Sequence, residues 1–367
     1  MPKQNTNVVP VKSVNLLKHV ILSAFLILTT PLFSQVQTFV WQGIERQYLI
    51  NIPAEHQETM PILFFLHGMG ADITQLDEEN HFQAIADNDH WAIVVPQALF
   101  EGQGTRWNVG FRNSKIDDTG FLMALLDTLA MQYPIDLDSV FFTGLSMGGS
   151  MTHRMAIEHG DRITACAPVS GLITHDIASR TPIAPVRILH IHGTNDTIVG
   201  YNGTSQAFGD TLGIGVDSIL CYWKKANACV DAPVIDTFPD RKNDGLLFVR
   251  YTYEGDATLQ HIKVIGGTHT WYKSEDEYDI SYLTEIHKFF MSNEPIMVQF
   301  WPDIISDKIT TCALKESVLK VVNIQGRIVA THLVKPGTQQ FDLGNLPQGL
   351  YFIQDETTGT VKKMLVK

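Results

Sequence analysis

The sequence is poor in the residues that would mark a metal, redox or nucleic-acid protein. Its four cysteines, Cys166, Cys221, Cys229 and Cys312, form no CxxC pair. Neither a zinc site nor a dithiol redox centre is suggested, and no metal or organic cofactor is expected. Lys and Arg are outnumbered by Asp and Glu, 27 to 39, for a formal net charge of −12, and no basic block interleaved with aromatics occurs. Such a surface does not steer in a polyanion, which sets nucleic acid aside as a partner. Long membrane-spanning runs are missing too: the apolar stretch Val20 to Phe33 is shorter than the roughly 20 residues that cross a bilayer. With Lys12 and Lys18 before it and Ser34-Gln35 after it, that stretch reads as a secretory signal over residues 1–34. The full chain is ordinary for a globular protein, 44% hydrophobic and, at 367 residues, long enough for one large domain and a small one.

What is present is organised around Phe141 to Ser150, FFTGLSMGGS. A turn (Pro134 to Asp138) and a short apolar run (Val140 to Phe142) lead into G-x-S-x-G, and a helical pattern follows. This is the context of a nucleophile elbow, a strand-to-helix turn too sharp for side chains at the flanking positions. It puts the Ser146 hydroxyl at the tip and aims the Met147 backbone N–H where an oxyanion would form.

Upstream, Val36 to Trp41 and Arg46 to Ile52 suit a hairpin, and Pro61 to Leu66 is an unbroken apolar run of the kind buried on both faces. It ends in His67-Gly68-Met69-Gly70, where the N–H of Met69 or Gly70 is the second candidate oxyanion donor. A helix over Phe82 to Ala86 and a strand over Trp91 to Pro96 follow. Ala98 to Ile116, carrying Arg106-Trp107-Asn108, reads as a long loop. Asp118 to Met131 is helical. Adjacent Asp117 and Asp118 point in different directions, so helix capping explains them better than paired catalytic carboxylates.

Past the elbow, strands are expected over Ile163 to Val169, Val186 to Ile191, Gly245 to Tyr253 and Gln260 to Ile265, with helices over Ser218 to Lys225 and Tyr282 to Met291. Asp196 follows the second of these strands and His269 the last, each in a glycine-bearing loop. A serine hydroxyl is a poor nucleophile until an imidazole takes its proton, and a carboxylate must hold that imidazole in the useful tautomer. The chain order Ser146, Asp196, His269 is that of an α/β-hydrolase. Trp107 and Trp271 could both reach the mouth of the site, either as an aromatic wall for a planar acyl group or as packing that holds a loop; the wall is expected of Trp107 and loop support of Trp271, beside the base. His153, His190 and His192 receive no catalytic role and are read as helix-surface, strand and turn residues.

Several of these segments resemble secreted esterases grouped as poly(3-hydroxybutyrate) depolymerase-like and feruloyl esterase-like enzymes: Trp107-Asn108, Asp117-Asp118 with Gly120-Phe121, Gly144 to Gly149, Ala167 to Gly171, His190 to Gly193 with Asp196, and Gly266 to Trp271. The resemblance covers about Gln37 to Met291. It implies an ester hydrolase with Ser146 as nucleophile, His269 as base and Asp196 as orienting acid. Two positions depart from the family: Tyr272 stands where Pro is usual, and Cys229 lacks the usual partner, whose place falls near Asp256. A Cys221–Cys229 bridge would need the intervening helix to break.

After Pro295, short runs alternate with turn signals such as Gln325-Gly326 and Pro347-Gln348-Gly349, describing a small β-sandwich-like module. Val322 to Arg327, Leu346 to Phe352 and Lys362-Lys363-Met364 resemble the C-terminal sorting domain of proteins exported by the type IX system. A carbohydrate-binding module is the alternative, although no row of aromatics speaks for it.

The expected architecture is therefore an α/β-hydrolase domain over 35–294 and an all-β sorting domain over 295–367. The expected function is a secreted serine esterase of carboxylic esters, acting on plant cell-wall polysaccharide or polyester. It would be exported through the periplasm and outer membrane to the cell surface or beyond by the type IX machinery. A peptidase or lactonase of the same fold, or a silent polysaccharide-binding surface protein, are the competing readings.

Overall fold

Strand Met60–Leu66 sets the plan of the molecule. Ile62, Phe64 and Leu66 enter one hydrophobic core while Leu63 and Phe65 enter another, because successive side chains of a strand point to opposite faces of the sheet. A strand apolar on both sides has to lie inside a sheet covered on both sides. The computed structural model describes residues 36–53, 59–74, 85, 89–102, 104–111, 114–206, 209–292, 298–302, 308–313, 316–335, 337–343, 345–356 and 361–366. The expected signal segment 1–34 and most of the expected helix Phe82 to Ala86 lie outside them.

In chain order the strands up to the closing helix are β1 (Gln37–Trp41), β2 (Ile44–Asn51), β3 (Met60–Leu66), β4 (Ala92–Pro96), β5 (Leu99–Glu101), β6 (Gly104–Arg106), β7 (Ile135–Leu145), β8 (Ala165–Val169), β9 (Arg187–Gly193), β10 (Val234–Thr237), β11 (Leu247–Tyr253) and β12 (Leu259–Ile265). The helices are α1 (Asp118–Gln132), α2 (Met147–His159), α3 (His175–Ala178), α4 (Val216–Ala226) and α5 (Tyr282–Met291). Ten strands form one sheet in the order β1-β2-β4-β3-β7-β8-β9-β12-β11-β10. The block from β4 to β12 is parallel, and both margins are antiparallel. This is the α/β-hydrolase sheet, and the loops at the carboxyl ends of β3, β7, β9 and β12 meet along one edge, where ligands of open α/β sheets bind.

The β1–β2 hairpin forms as expected, turning at Gln42 (φ 48°) and Gly43 (φ 78°), the left-handed pair that a tight hairpin demands. The stretch Ala98 to Ile116 is less irregular than its sequence suggests: β5 and β6 pair within it as a small hairpin. Strand β10, not foreseen, extends the far margin of the sheet. Cys166, Cys221 and Cys229 are free thiols, and α4 continues past Cys221 to Ala226, so no bridge joins Cys221 to Cys229.

Among the described residues from 298 onward, the regular elements are all strands. Strands β13 (Val298–Pro302), β14 (Lys308–Ala313) and β17 (Gly337–Asp342) form one antiparallel sheet. A second is made of β16 (Ile328–Val334), β15 (Ser317–Asn323), β18 (Gly349–Asp355) and β19 (Val361–Val366). Leu319, Val321, Val334, Leu343, Tyr351, Ile353 and Val366 form a core of their own.

Candidate active site

The turn from β7 into α2 is where backbone packing is tightest. A Cβ on Gly148 would stand 1.9 Å from the Leu66 carbonyl oxygen, and one on Gly144 would stand 2.5 Å from the same atom. Only glycine lets α2 start this close to β3. Ser146 itself sits at φ 59°, ψ −120°, a conformation an L-residue adopts only under constraint. Its N–H donates to the Val169 carbonyl (2.9 Å) and its carbonyl accepts from the Ser150 N–H (3.0 Å), so both neighbouring elements hold the tip. The hydroxyl faces a cavity of about 480 Å³ lined also by Met69, Met147 and His269.

The loop after β3 is built around His67. Its Nδ1–H donates to the Gly68 carbonyl (2.6 Å), which leaves Nε2 to accept from the Ala98 N–H (3.0 Å) and the Gln97 side-chain amide (2.9 Å). Burial pushes this imidazole down to about 4, so it stays neutral. Of the two expected oxyanion donors, the Gly70 N–H is already committed to the Thr105 carbonyl at 2.8 Å. The N–H groups of Met69 and Met147 have no acceptor among the described residues, which leaves them available to a ligand.

On the other side of the cavity, Asp196 Oδ1 accepts from the N–H groups of Ile198 (2.9 Å) and Val199 (2.8 Å), while Oδ2 accepts from His269 Nδ1–H at 2.7 Å. With the Nδ1 proton committed to Asp196, the neutral ring carries its lone pair on Nε2, the tautomer a general base requires. The Asp196 side chain is fully buried and that of His269 is 17% exposed. Ser146 and His269 share the cavity without a direct hydrogen bond between them. Tyr272, standing where the resembled family has proline, is buried under the His269 loop, where its hydroxyl accepts from the Thr268 N–H at 3.3 Å.

Neither Trp107 nor Trp271 lines the cavity, which corrects the wall expected of Trp107 and leaves both with the loop-packing alternative. Trp107 is 2% exposed and its indole N–H donates to the His67 carbonyl at 2.9 Å, bracing the loop that carries Met69. Trp271 packs edge-on against Phe65 (5.5 Å between centroids) and Tyr282 in the core beneath the base loop. Large aromatic surface gains most by full burial, and here both indoles support loops rather than face the cavity. The apolar wall consists instead of Val109, Phe111, Leu172, Ile198, Val199 and Leu212, with Arg106 and Asp210 as charged members of the lining.

Asp117 accepts from the Gly120 N–H at 2.9 Å and caps α1, as expected. Asp118 has a role the sequence reading missed: wholly buried, it pairs with Arg46 on β2 (2.7 Å) and accepts from the Asn108 N–H (2.6 Å), anchoring the segment after Trp107. Also missed was the burial of His153 and His192. His153, expected on a helix surface, is fully buried, and His192, expected in a turn, lies within β9. The signal was available: His190 and His192, two apart in a continuous apolar run, fall on one face of a buried strand and must find partners there.

The sheet order and the elbow at its centre define an α/β-hydrolase fold. An acetyl xylan esterase from Aspergillus awamori shares it with a TM-score of 0.53 at 14% identity, covering 70% of this chain and 98% of that one. In sequence, the chain is 26% identical over 232 residues to a bifunctional acetylxylan esterase/xylanase of Neocallimastix patriciarum, 62% of this chain and 31% of that protein. It is 26% identical over 200 residues to feruloyl esterase B of Piromyces equi, 52% of this chain and 37% of that protein. The chain thus spans about a third of the length of these curated relatives. Residues 300–367 match the secretion system C-terminal sorting domain, which marks an exported, extracellular protein.

Proposed function

We propose that the chain is a serine esterase of carboxylic esters, working through an acyl-enzyme. Ser146 is the nucleophile, His269 the base, Asp196 the acid that orients it, and the Met147 and Met69 N–H groups the oxyanion hole. The observation that carries this reading is the 2.7 Å bond from His269 Nδ1–H to Asp196 Oδ2 at the rim of the cavity that holds Ser146. In the reaction His269 Nε2 takes the Ser146 proton as Oγ attacks the ester carbonyl. The oxygen gains its negative charge between two backbone donors, and the same imidazole returns the proton to the leaving alcohol. Water then repeats the cycle on the acyl-enzyme.

An apolar wall around a cavity of about 480 Å³ suits an aromatic or extended acyl group, such as a hydroxycinnamoyl or hydroxyalkanoyl group, better than acetyl alone. Phe111 is the aromatic side chain of that wall. The chain divides into an esterase domain, 35–294, and a sorting domain, 295–367, that does no chemistry and is handled by the type IX export machinery. Esters of plant cell-wall polysaccharide are the favoured natural substrates, from the esterases this chain is similar to.

Replacing Ser146 with Ala tests the assignment: turnover of feruloyl and nitrophenyl esters should fall by about 10⁴-fold or more. Labelling by a fluorophosphonate should vanish with it. A variant that still turns over, or acetyl esters preferred to hydroxycinnamoyl esters in kcat/KM, would overturn the assignment or the acyl preference respectively.

A further inference from the structure

The histidines without a catalytic role line up behind the acid loop. Trp223 Nε1 lies 3.1 Å from His153 Nδ1, His153 Nε2 lies 3.2 Å from His190 Nδ1, and His190 Nε2 lies 3.3 Å from His192 Nδ1. His192 Nε2 in turn lies 2.7 Å from the Val199 carbonyl oxygen. All four side chains are fully buried. An indole N–H can only donate and a carbonyl oxygen can only accept. Between those two ends a single arrangement of protons satisfies every bond with neutral rings: each histidine accepts at Nδ1 and donates from Nε2. Burial keeps the rings neutral, holding His153 at about 3, His192 at about 4 and His190 well below the ordinary histidine value.

A second branch runs beside the first. His261 Nδ1–H donates to the His190 carbonyl (2.9 Å), and His261 Nε2 therefore accepts from the Tyr201 hydroxyl (2.9 Å). Both branches end on the segment that follows Asp196. There Val199 gives its N–H to Asp196 Oδ1 and its carbonyl to His192, whose Nε2 also stands 3.6 Å from Asp196 Oδ2. The ring nitrogens pair in succession rather than converge, and among the described residues no group of three or more His, Cys, Asp or Glu could hold a metal.

We propose that the Trp223–His153–His190–His192 ladder is a positioning device for the Asp196 carboxylate, with His192 as the positioning residue in contact with the acid loop. The proposal rests on the Ser146–His269–Asp196 reading. Reversing the ladder would set donor against donor at Trp223 and acceptor against acceptor at Val199, both inside the core. The indole thus fixes which nitrogen of His192 carries the proton, and that N–H pins Val199 and, through it, the carboxylate that aligns His269.

Two variants of the full chain separate positioning from mere packing. His192→Phe keeps a ring but no donor, whereas His192→Gln keeps an N–H within reach of the Val199 carbonyl. The first should lose about 10- to 100-fold in kcat with KM little changed, and the second should recover most of that loss. A readout independent of turnover comes from nitrogen-15 NMR of histidine-labelled Ser146→Ala protein. His153, His190 and His192 should all appear as Nε2–H tautomers at neutral pH. The downfield proton of the His269–Asp196 bond should move when His192→Phe is added. An Nδ1–H tautomer at any of the three, or an unmoved proton together with unchanged kcat, overturns the proposal. If His192→Phe does not fold, Trp223→Phe, which leaves all three histidines in place but removes the indole donor, should let Nδ1–H tautomers appear among them and move the same proton, and unchanged tautomers with an unmoved proton in that variant overturn the proposal. Failure of the triad reading itself shows separately, as turnover surviving in Ser146→Ala.

Discussion

The two halves of the candidate site are held in place by different physics. The nucleophile half is fixed by backbone contact: Gly144 and Gly148 press against the Leu66 carbonyl with no room for another carbon, and Ser146 is held in a strained conformation by main-chain bonds. The acid half has a close backbone contact too, Gly193 against the Gly267 carbonyl, but adds side chains, a buried set of neutral imidazoles and one indole that hydrogen-bond their way to Asp196. A steric clamp is indifferent to pH and intolerant of volume. A hydrogen-bonded clamp tolerates shape but depends on protons, so the halves should break under different perturbations.

The largest contrast within the acid half comes from Asp196→Asn. The amide oxygen can keep the Ile198 and Val199 donors, but the amide nitrogen then faces His269 Nδ1 and donates to it. That drives the imidazole proton to Nε2 and blocks the base, so kcat should fall by about 10³- to 10⁴-fold with the urea midpoint little changed. A variant that keeps most of its kcat would remove Asp196 from the chemistry.

Volume is the corresponding probe of the nucleophile half. Gly148→Ala sets a methyl group 1.9 Å from the Leu66 carbonyl oxygen, and the backbone has to move. Stability in urea should drop by about 3 kcal/mol or more, and activity with it. Near-normal stability would mean that α2 and β3 can separate more easily than the close approach implies.

Acid should act through the buried histidines, four behind the acid loop and His67 beside the elbow. Burial depresses His67 and His192 to about 4, His153 and His261 to about 3, and His190 well below its ordinary 6.5. Between those values and 6.5 the unfolded chain binds more protons than the folded one, so stability rises with pH through that window and is lost as pH falls through it. Each such histidine contributes a slope of up to about 1.4 kcal/mol per pH unit. Glu254, raised by burial to about 7, opposes this slope over the same window, one group against five. Urea midpoints measured from pH 7 down to pH 5 should therefore still decline, and a profile that rises toward pH 5 would show that these rings are not held neutral in the fold.

The smallest effect is expected at Trp107→Phe. It removes the indole donor from the His67 carbonyl while filling most of the space, costing about 1 kcal/mol of stability. Because the indole does not line the cavity, KM should change alike for aryl and acetyl esters. A selective rise for aryl esters would return Trp107 to the cavity wall.

Much of this was legible because the informative features are local. G-x-S-x-G between an apolar run and a helix, and glycine loops after the strands that carry Asp196 and His269, report backbone requirements that a few consecutive residues disclose. The choice between aromatic wall and loop packing for the two tryptophans is not legible in the sequence, for the opposite reason. Trp107 and Trp271 lie near the chemistry in sequence, but whether an indole faces a cavity or props a loop depends on what other strands bring beneath it, here His67 and Phe65. Arg46 and Asp118 show the same limit, as two charges 72 residues apart that meet only because β2 lies against the start of α1.

By itself, then, the chain's pattern of apolar runs, glycines and chemistry-bearing loop residues determined a doubly covered parallel sheet and the order of its serine, aspartate and histidine. Such patterns report what each short segment needs locally. The tertiary structure alone decided that Met69 rather than Gly70 has an N–H with no acceptor among the described residues, that Phe111 rather than Trp107 lines the cavity, and that His153, His190 and His192 share one line of protons. Those outcomes depend on which partners arrive across the sheet from distant parts of the chain, and a buried donor or acceptor is satisfied only by the group that folding brings within reach.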